Sequence, residues 1–181
     1  MAVLMVGGTG MLAGTAVGLA QDGEDVFLLS RSAEGFTRVR DRAGPAAVHL
    51  HWHAVDYTDA RAWTATLRTI LHQHHPETAV VWMSDRPAFD IFVQLVAAER
   101  ASKPWRLFRV RGSAAAREPA TPPRVPSCLY RLVILGFVLE GDGSRWLSRD
   151  EIGSGVLDAV RHDRERSVVG TVEPWDRRPS Y

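Results

Sequence analysis

A single doubly wound α/β domain with a mainly parallel sheet and a truncated C-terminal half is the fold this sequence predicts. Three observations carry that expectation. The chain opens on an apolar run, Val3 to Val6, followed at once by Gly7, Gly8 and Gly10 and then by residues with helical spacing. Strand-like and helix-like segments then alternate through the first two thirds of the chain, as βαβ units require. The runs at residues 3–6, 25–30 and 78–83 are almost continuously apolar, the pattern of strands covered on both faces.

In chain order, the first helix is expected over residues 11–22, with Gly23 suited to its C-terminal cap. A second strand at 25–30 closes a right-handed βαβ unit. A short helix at 32–42 ends before Gly44-Pro45. Residues 47–56 alternate as a third strand, with Val48, Leu50, Trp52 and Ala54 on one face and His49, His51 and His53 on the other. That two-sided pattern belongs at a sheet edge, where the order 3-2-1-4-5-6 puts it. Thr58 or Asp59 caps a helix reaching His75, and Ser84 or Asp85 caps the next, which runs to Ala101 with Pro87 in its first turn. Strands follow at 105–111 and 130–140, separated by a proline-rich stretch (112–127) that cannot hold a long helix. Ser148 and Glu151 form a capping box for a helix to His162, and 168–172 forms a last short strand. No repeat or domain boundary interrupts residues 1–181.

Composition narrows the function classes. With 181 residues, 45% hydrophobic and 24% charged, the chain can bury a core without disulfides or metals. A formal net charge of +1 makes no global case for nucleic acid or an anionic membrane. No apolar run spans a bilayer, and the first strand begins too early for a signal peptide. The single Cys128 forms no internal disulfide and suits a reducing cytoplasm, where it reads as a packing residue beside Leu129. Lys103 is the only lysine.

A glycine turn between strand and helix lets backbone approach a pyrophosphate, whose charge meets free N–H groups and the helix dipole. Gly7, Gly10 and then Ala13 or Gly14 have a spacing that resembles the G-x-x-G-x-x-G/A of extended and atypical short-chain dehydrogenases, which bind NAD(P) on a Rossmann fold. The resemblance covers the first two thirds of the chain well and the rest poorly. It implies that Thr9, Met11 and Leu12 supply N–H groups to the pyrophosphate. After the second strand stands Ser30-Arg31-Ser32, where an NAD site places an acid. Ser30 and Arg31 offer a hydroxyl and a guanidinium, which suit a 2′-phosphate instead, so NADP(H) is favoured over NAD(H).

By the same resemblance, Asp56 with Tyr57 matches the segment that contacts adenine, although Asp56 equally begins the cap of the next helix. Trp82, Met83 and Ser84 stand where the family has Asn-Ala-Gly beside the nicotinamide ribose. The family's Tyr-x-x-x-Lys acid is missing: Tyr130 has no lysine after it, Lys103 precedes the fifth strand, and only Ser113 is plausibly placed.

Two functional classes remain open. One is an oxidoreductase acting on an unknown small substrate without the usual dyad; the other is a catalytically silent nucleotide-binding or redox-sensing module working through a protein partner. Arg109 and Arg111 alternate at the carboxyl end of the fifth strand, where they hold an anionic substrate or pair with Asp or Glu. The histidines at 49, 51 and 53, and at 72, 74 and 75, lack a placed acidic or thiol partner, and no metal site is assigned. Tyr130, Phe137 and Trp146 read as core or as a subunit interface, and the apolar 133–139 run points to a homodimer through the sixth strand and last helix.

Overall fold

The computed structural model describes residues 1–101, 103–118, 122–125 and 127–180. Of the proline-rich stretch, Pro119 and Pro126 lie outside those residues. The strands are β1 (Ala2–Val6), β2 (Asp25–Ser30), β3 (Leu50–Ala54), β4 (Thr78–Trp82), β5 (Trp105–Gly112), β6 (Cys128–Leu135), β7 (Phe137–Glu140), β8 (Gly143–Trp146) and β9 (Arg166–Val169). The helices are α1 (Ala13–Gln21), α2 (Ala33–Ala43), α3 (Ala60–His74), α4 (Arg86–Arg100) and α5 (Arg149–Arg161). Among the described residues, seven strands form one parallel sheet in the order β3-β2-β1-β4-β5-β6-β9. This is the expected doubly wound order with one strand added at the far edge.

Each sheet face carries its own core, because consecutive strand residues point to opposite sides. Val3, Met5, Val26, Leu28, Phe108, Val110 and Val133 pack under α1, α2 and α5. Leu4, Val6, Phe27, Ala79, Val81 and Leu107 pack under α3 and α4. Trp63 of α3 is fully buried, and its Nε1 donates to the Ala88 carbonyl at 2.9 Å, which fastens α3 to α4. On the other face α1 and α5 touch through glycines. A Cβ on Gly153 would stand 2.8 Å from Gly14 Cα, and Thr15 Oγ1 donates to the Gly153 carbonyl at 3.1 Å. No helix among the described residues is long and apolar enough to cross a membrane.

Several expected boundaries move. The first helix begins at Ala13, leaving Met11 and Leu12 in the turn. The third strand begins at Leu50, because Gly44–His49 winds as a 3-10 turn with Pro45 in its first positions. Val48, expected on the buried face, is 74% exposed in consequence. The sixth strand, expected unbroken over 130–140, is two strands divided at Gly136. A Cβ there would lie 2.0 Å from the Thr171 carbonyl oxygen, and Phe137 and Thr171 exchange two backbone hydrogen bonds of 2.8 Å. The chain therefore leaves the sheet at Gly136 and turns back as the antiparallel β7–β8 hairpin. The last strand is 166–169 rather than 168–172.

Most of the apolar run that pointed to a homodimer packs inside the chain, while Leu139 at its end stays 38% exposed. Val133, Ile134 and Phe137 are fully buried, β9 covers the outer edge of β6, and α1 covers α5. Phe137 is core; Tyr130 and Trp146 are only partly buried.

The histidines of β3 do not form a solvated face. His51 and His74 stack on the Phe27 ring at 4.8 and 4.2 Å, with His53 at 6.3 Å. His51 Nε2 and His49 Nδ1 face Asp25 at 3.0 and 3.5 Å. Among the described residues no three His, Cys, Asp or Glu side chains gather in a group that could hold a metal.

Candidate functional site

The site lies at the carboxyl ends of β1, β2, β4 and β5, around the turn that joins β1 to α1. That turn is tight because Gly7 adopts φ +92° and its carbonyl accepts from the Gly10 amide at 3.2 Å and the Leu12 amide at 3.1 Å. A side chain at Gly7 would also run into Trp82, whose Cβ would be 3.0 Å away, so this glycine lets the end of β4 close against the turn. Space opens at Gly10, where a Cβ would meet nothing within 4 Å.

Four of the five helices have a side-chain N-cap: Ser32 on α2, Asp59 on α3, Asp85 on α4 and Ser148, in the expected capping box, on α5. At α1 the cap position is Leu12, whose side chain makes no cap bond and is fully buried. No acidic residue stands in the first turn of α1 either. An uncapped helix N-terminus behind a glycine turn offers N–H groups and a positive dipole end to an anion. Leu12's own amide is committed to Gly7, so Thr9 and Met11 are the better-placed donors of the three expected.

The second cluster sits beside the first. The first turn of α2 packs on the glycine turn so closely that a Cβ on Gly35 would stand 2.9 Å from the Thr9 carbonyl oxygen. Ser32 Oγ accepts from the Gly35 amide at 2.9 Å, and Ser30 Oγ accepts from Trp52 Nε1 at 3.0 Å. Both hydroxyls are held in place as acceptors, and each retains its own proton to donate. Arg31 is exposed, and its Nη1 lies 3.5 Å from Asp56 Oδ2. Asp56 Oδ1 in turn accepts from the Thr58 amide at 2.9 Å and the Thr58 hydroxyl at 2.8 Å, and these bonds, with Arg31 beyond them, pull its carboxyl below the usual range. Asp59 is the N-cap of α3, and Asp56 leads into it through its bonds to Thr58, so the capping role stays open to Asp56 beside the adenine one. Tyr57 leans edge-on to Trp63, with ring centroids 6.3 Å apart.

Trp82, Met83 and Ser84 line a cleft of about 340 Å³ with Arg109, Val110, Arg111 and Gly112. Trp82 is half-buried against Gly7, Met83 is buried, and Ser84 is exposed. The Met83 carbonyl accepts from Arg109 Nη2 at 2.7 Å. The serine after β5 is differently placed from the sequence expectation. Ser113 is buried, and its Oγ accepts from Arg178 Nε at 2.7 Å. Arg178 belongs to a C-terminal segment that folds back over this end of the sheet: Arg117 lies 4.3 Å from the Trp175 ring, and Arg177 Nη2 donates to the Gly141 and Gly143 carbonyls. Nothing in the sequence marks a partner 65 residues away. Lys103 lies at the opposite end of β5, so roughly 26 Å of strand separates it from Ser113. Burial pushes the Cys128 thiol up to about 11, so it stays protonated at neutral pH and serves as packing.

Solved structures share this architecture. An alcohol dehydrogenase from the archaeon Thermococcus sibiricus, complexed with 5-hydroxy-NADP, aligns with a TM-score of 0.71 at 15% identity over 99% of each chain. A variant actinorhodin polyketide ketoreductase with NADPH aligns at 0.68 and 11% identity, covering 94% of this chain and 95% of that one. A metagenomic short-chain oxidoreductase in complex with NADP aligns at 0.66 and 15%, covering 94% and 96%. At such identities the likeness is one of fold. No protein-family model and no curated protein matches the sequence.

Proposed function

From the Rossmann fold that this chain has in common with short-chain dehydrogenase/reductase structures, we propose that it binds NADP(H) across the carboxyl ends of β1, β2 and β4. The observation that carries the proposal is the uncapped N-terminus of α1 behind the open glycine turn, with Arg31 and two donating serines at its flank. The Gly7–Leu12 turn holds the pyrophosphate on the Thr9 and Met11 amides. Ser30, Arg31 and Ser32 hold the 2′-phosphate; Asp56 and Tyr57 border the adenine; Trp82, Met83 and Ser84 border the nicotinamide ribose. When bound, the dinucleotide supplies a hydride, and the cleft beside Ser84 is the room for a small substrate.

Two consequences of the chain's own chemistry shape the activity. Ser113 is engaged by Arg178 and the Tyr-x-x-x-Lys pair is missing, so an oxidoreductase built here takes its proton from another group or from water. The same two facts favour the second reading, a catalytically silent nucleotide-binding or redox-sensing module acting through a protein partner. Stoichiometric cofactor binding with no substrate-dependent loss of NADPH absorbance selects that reading; any such loss selects the enzyme. Self-association through the sixth strand and last helix now has to use β9 and the outer face of α5, and a monomeric mass at micromolar concentration removes it.

Calorimetric titration with NADPH, NADP+, NADH and NAD+ tests the central proposal. Removing one charge-assisted phosphate contact in Arg31→Ala weakens NADPH by about tenfold to a hundredfold and leaves NADH unchanged. Absence of binding by all four overturns the proposal.

A further inference from the structure

The described residues of the crossover from β5 to β6 form no long helix to cover the sheet face, in keeping with the prolines of that stretch. Among its described residues the only regular piece is the 3-10 turn at Ser113–Arg117. In place of a helix, the α4 side of β5 and β6 carries a cleft of about 610 Å³, lined in part by Phe89, Arg109, Pro122, Pro123, Tyr130 and Leu132. It adjoins the smaller cleft under Ser84, and Arg109 lines both.

The charges in this cleft do not cancel. Three arginines and two carboxylates line it. Arg111 pairs with Glu118 at 2.8 Å and Arg86 with Asp90 at 3.9 Å. That leaves Arg109, which has no ion pair among the described residues. Its guanidinium lies 3.8 Å from the Phe89 ring centroid, Nη2 is spent on the Met83 carbonyl, and Nη1 is enclosed without an acceptor. Asp90 acts on Arg109 only from beyond ion-pair reach, and a largely buried cation without a paired counter-charge costs free energy that stacking on a phenyl ring offsets only in part. An anion in the cleft supplies what is missing, and Pro122, Pro123, Tyr130 and Leu132 add an apolar stretch of wall beside the paired charges.

We propose that this cleft takes a small organic carboxylate, with its charged group at Arg109 and its apolar body against Pro122, Pro123, Tyr130 and Leu132. Through the shared Met83 carbonyl, Arg109 places that ligand next to the end of β4. Calling the ligand a substrate rests on the dinucleotide reading above; the binding itself does not.

The test is calorimetric titration of the full chain with phenylacetate, phenylacetamide and acetate, first alone and then with NADPH present. Phenylacetate is expected to bind one per chain, about tenfold or more tighter than either the neutral amide or the body-less acid. Arg109→Met abolishes this preference, Arg109→Lys keeps part of it, and Arg68→Met, exposed on α3 away from both clefts, leaves it intact. Equal affinity for acid and amide overturns the charge assignment and needs no variant to read. Equal affinity for acetate and phenylacetate overturns the apolar body. If NADPH binds and phenylacetate does not, this inference fails alone. If phenylacetate binds and NADPH does not, the dinucleotide proposal fails and the carboxylate site stands.

Discussion

Replacing Gly153 by alanine sets two effects of opposite sign against each other. In the interior of an exposed helix, glycine to alanine stabilises by about 1 kcal/mol, because alanine loses less backbone freedom on folding. Here the new methyl would lie 2.8 Å from Gly14 Cα, 3.2 Å from its carbonyl carbon and 3.3 Å from its nitrogen. Relaxed carbon contacts are about 3.5–4.0 Å, so α1 and α5 must separate by up to roughly 1 Å. All three atoms are backbone and cannot swing aside as a side-chain tip would. Overpacking of this kind costs about 1–3 kcal/mol, and stretching the 3.1 Å Thr15–Gly153 bond adds up to about 1 kcal/mol. The net expectation is a loss of up to about 3 kcal/mol, or up to about 12 °C in Tm for a chain of this size. Thermal unfolding followed by circular dichroism reads it, with Ser154→Ala, exposed on the same helix, as a control expected to change Tm little or raise it. If Gly153→Ala matches that control, α1 and α5 do not approach as closely as argued here.

Gly136→Ala pushes a methyl to within 2.0 Å of the Thr171 carbonyl oxygen and breaks the Phe137–Thr171 exchange. A loss of at least about 2 kcal/mol is expected as a lower urea midpoint at unchanged m, and an unshifted midpoint refutes the corner. Burial first, then the nearby His74 and His51, hold the His53 pKa below its ordinary value. The unfolded chain therefore takes up that proton first, so His53 costs nothing above about pH 6.5 and lowers stability as pH falls through that value. Asp25 acts in the same direction at much lower pH, since hydrogen bonds from His51 and His49 depress its carboxyl and their contribution is lost as that carboxyl is protonated. His53→Gln is expected to flatten the Tm profile between about pH 6.5 and 5; an unchanged slope removes His53 as the cause.

Much of this architecture is legible from local chemistry. Ser148 with Glu151, Asp85 with Pro87, and Gly7 with Gly10 announce helix starts and a tight turn through contacts a few residues apart, and each forms as read. The boundaries that move do so where something other than β propensity decides, a distant segment in one case and a local turn in the other. Tyr130 to Glu140 looks like one strand because the atom that forbids its continuation past Gly136 belongs to Thr171. Val48 looks like a buried strand residue because alternation cannot register the 3-10 winding set up by Gly44 and Pro45.

Local patterns in the chain carried the layered α/β class and the strand order through four βαβ crossings. Tertiary structure alone decided which of two adjacent arginines is compensated. Arg109 and Arg111 alternate on one strand with the same chemistry, yet Glu118 reaches Arg111 while Arg109 meets a carbonyl and a phenyl ring and makes no ion pair among the described residues. It likewise decided that Ser113 meets Arg178 and that Gly14 meets Gly153. Hydrogen bonds within a helix or turn span a few residues and leave a periodic trace in the chain. Charge pairing and helix-to-helix contact join residues that only the closed fold brings within reach, so they leave none.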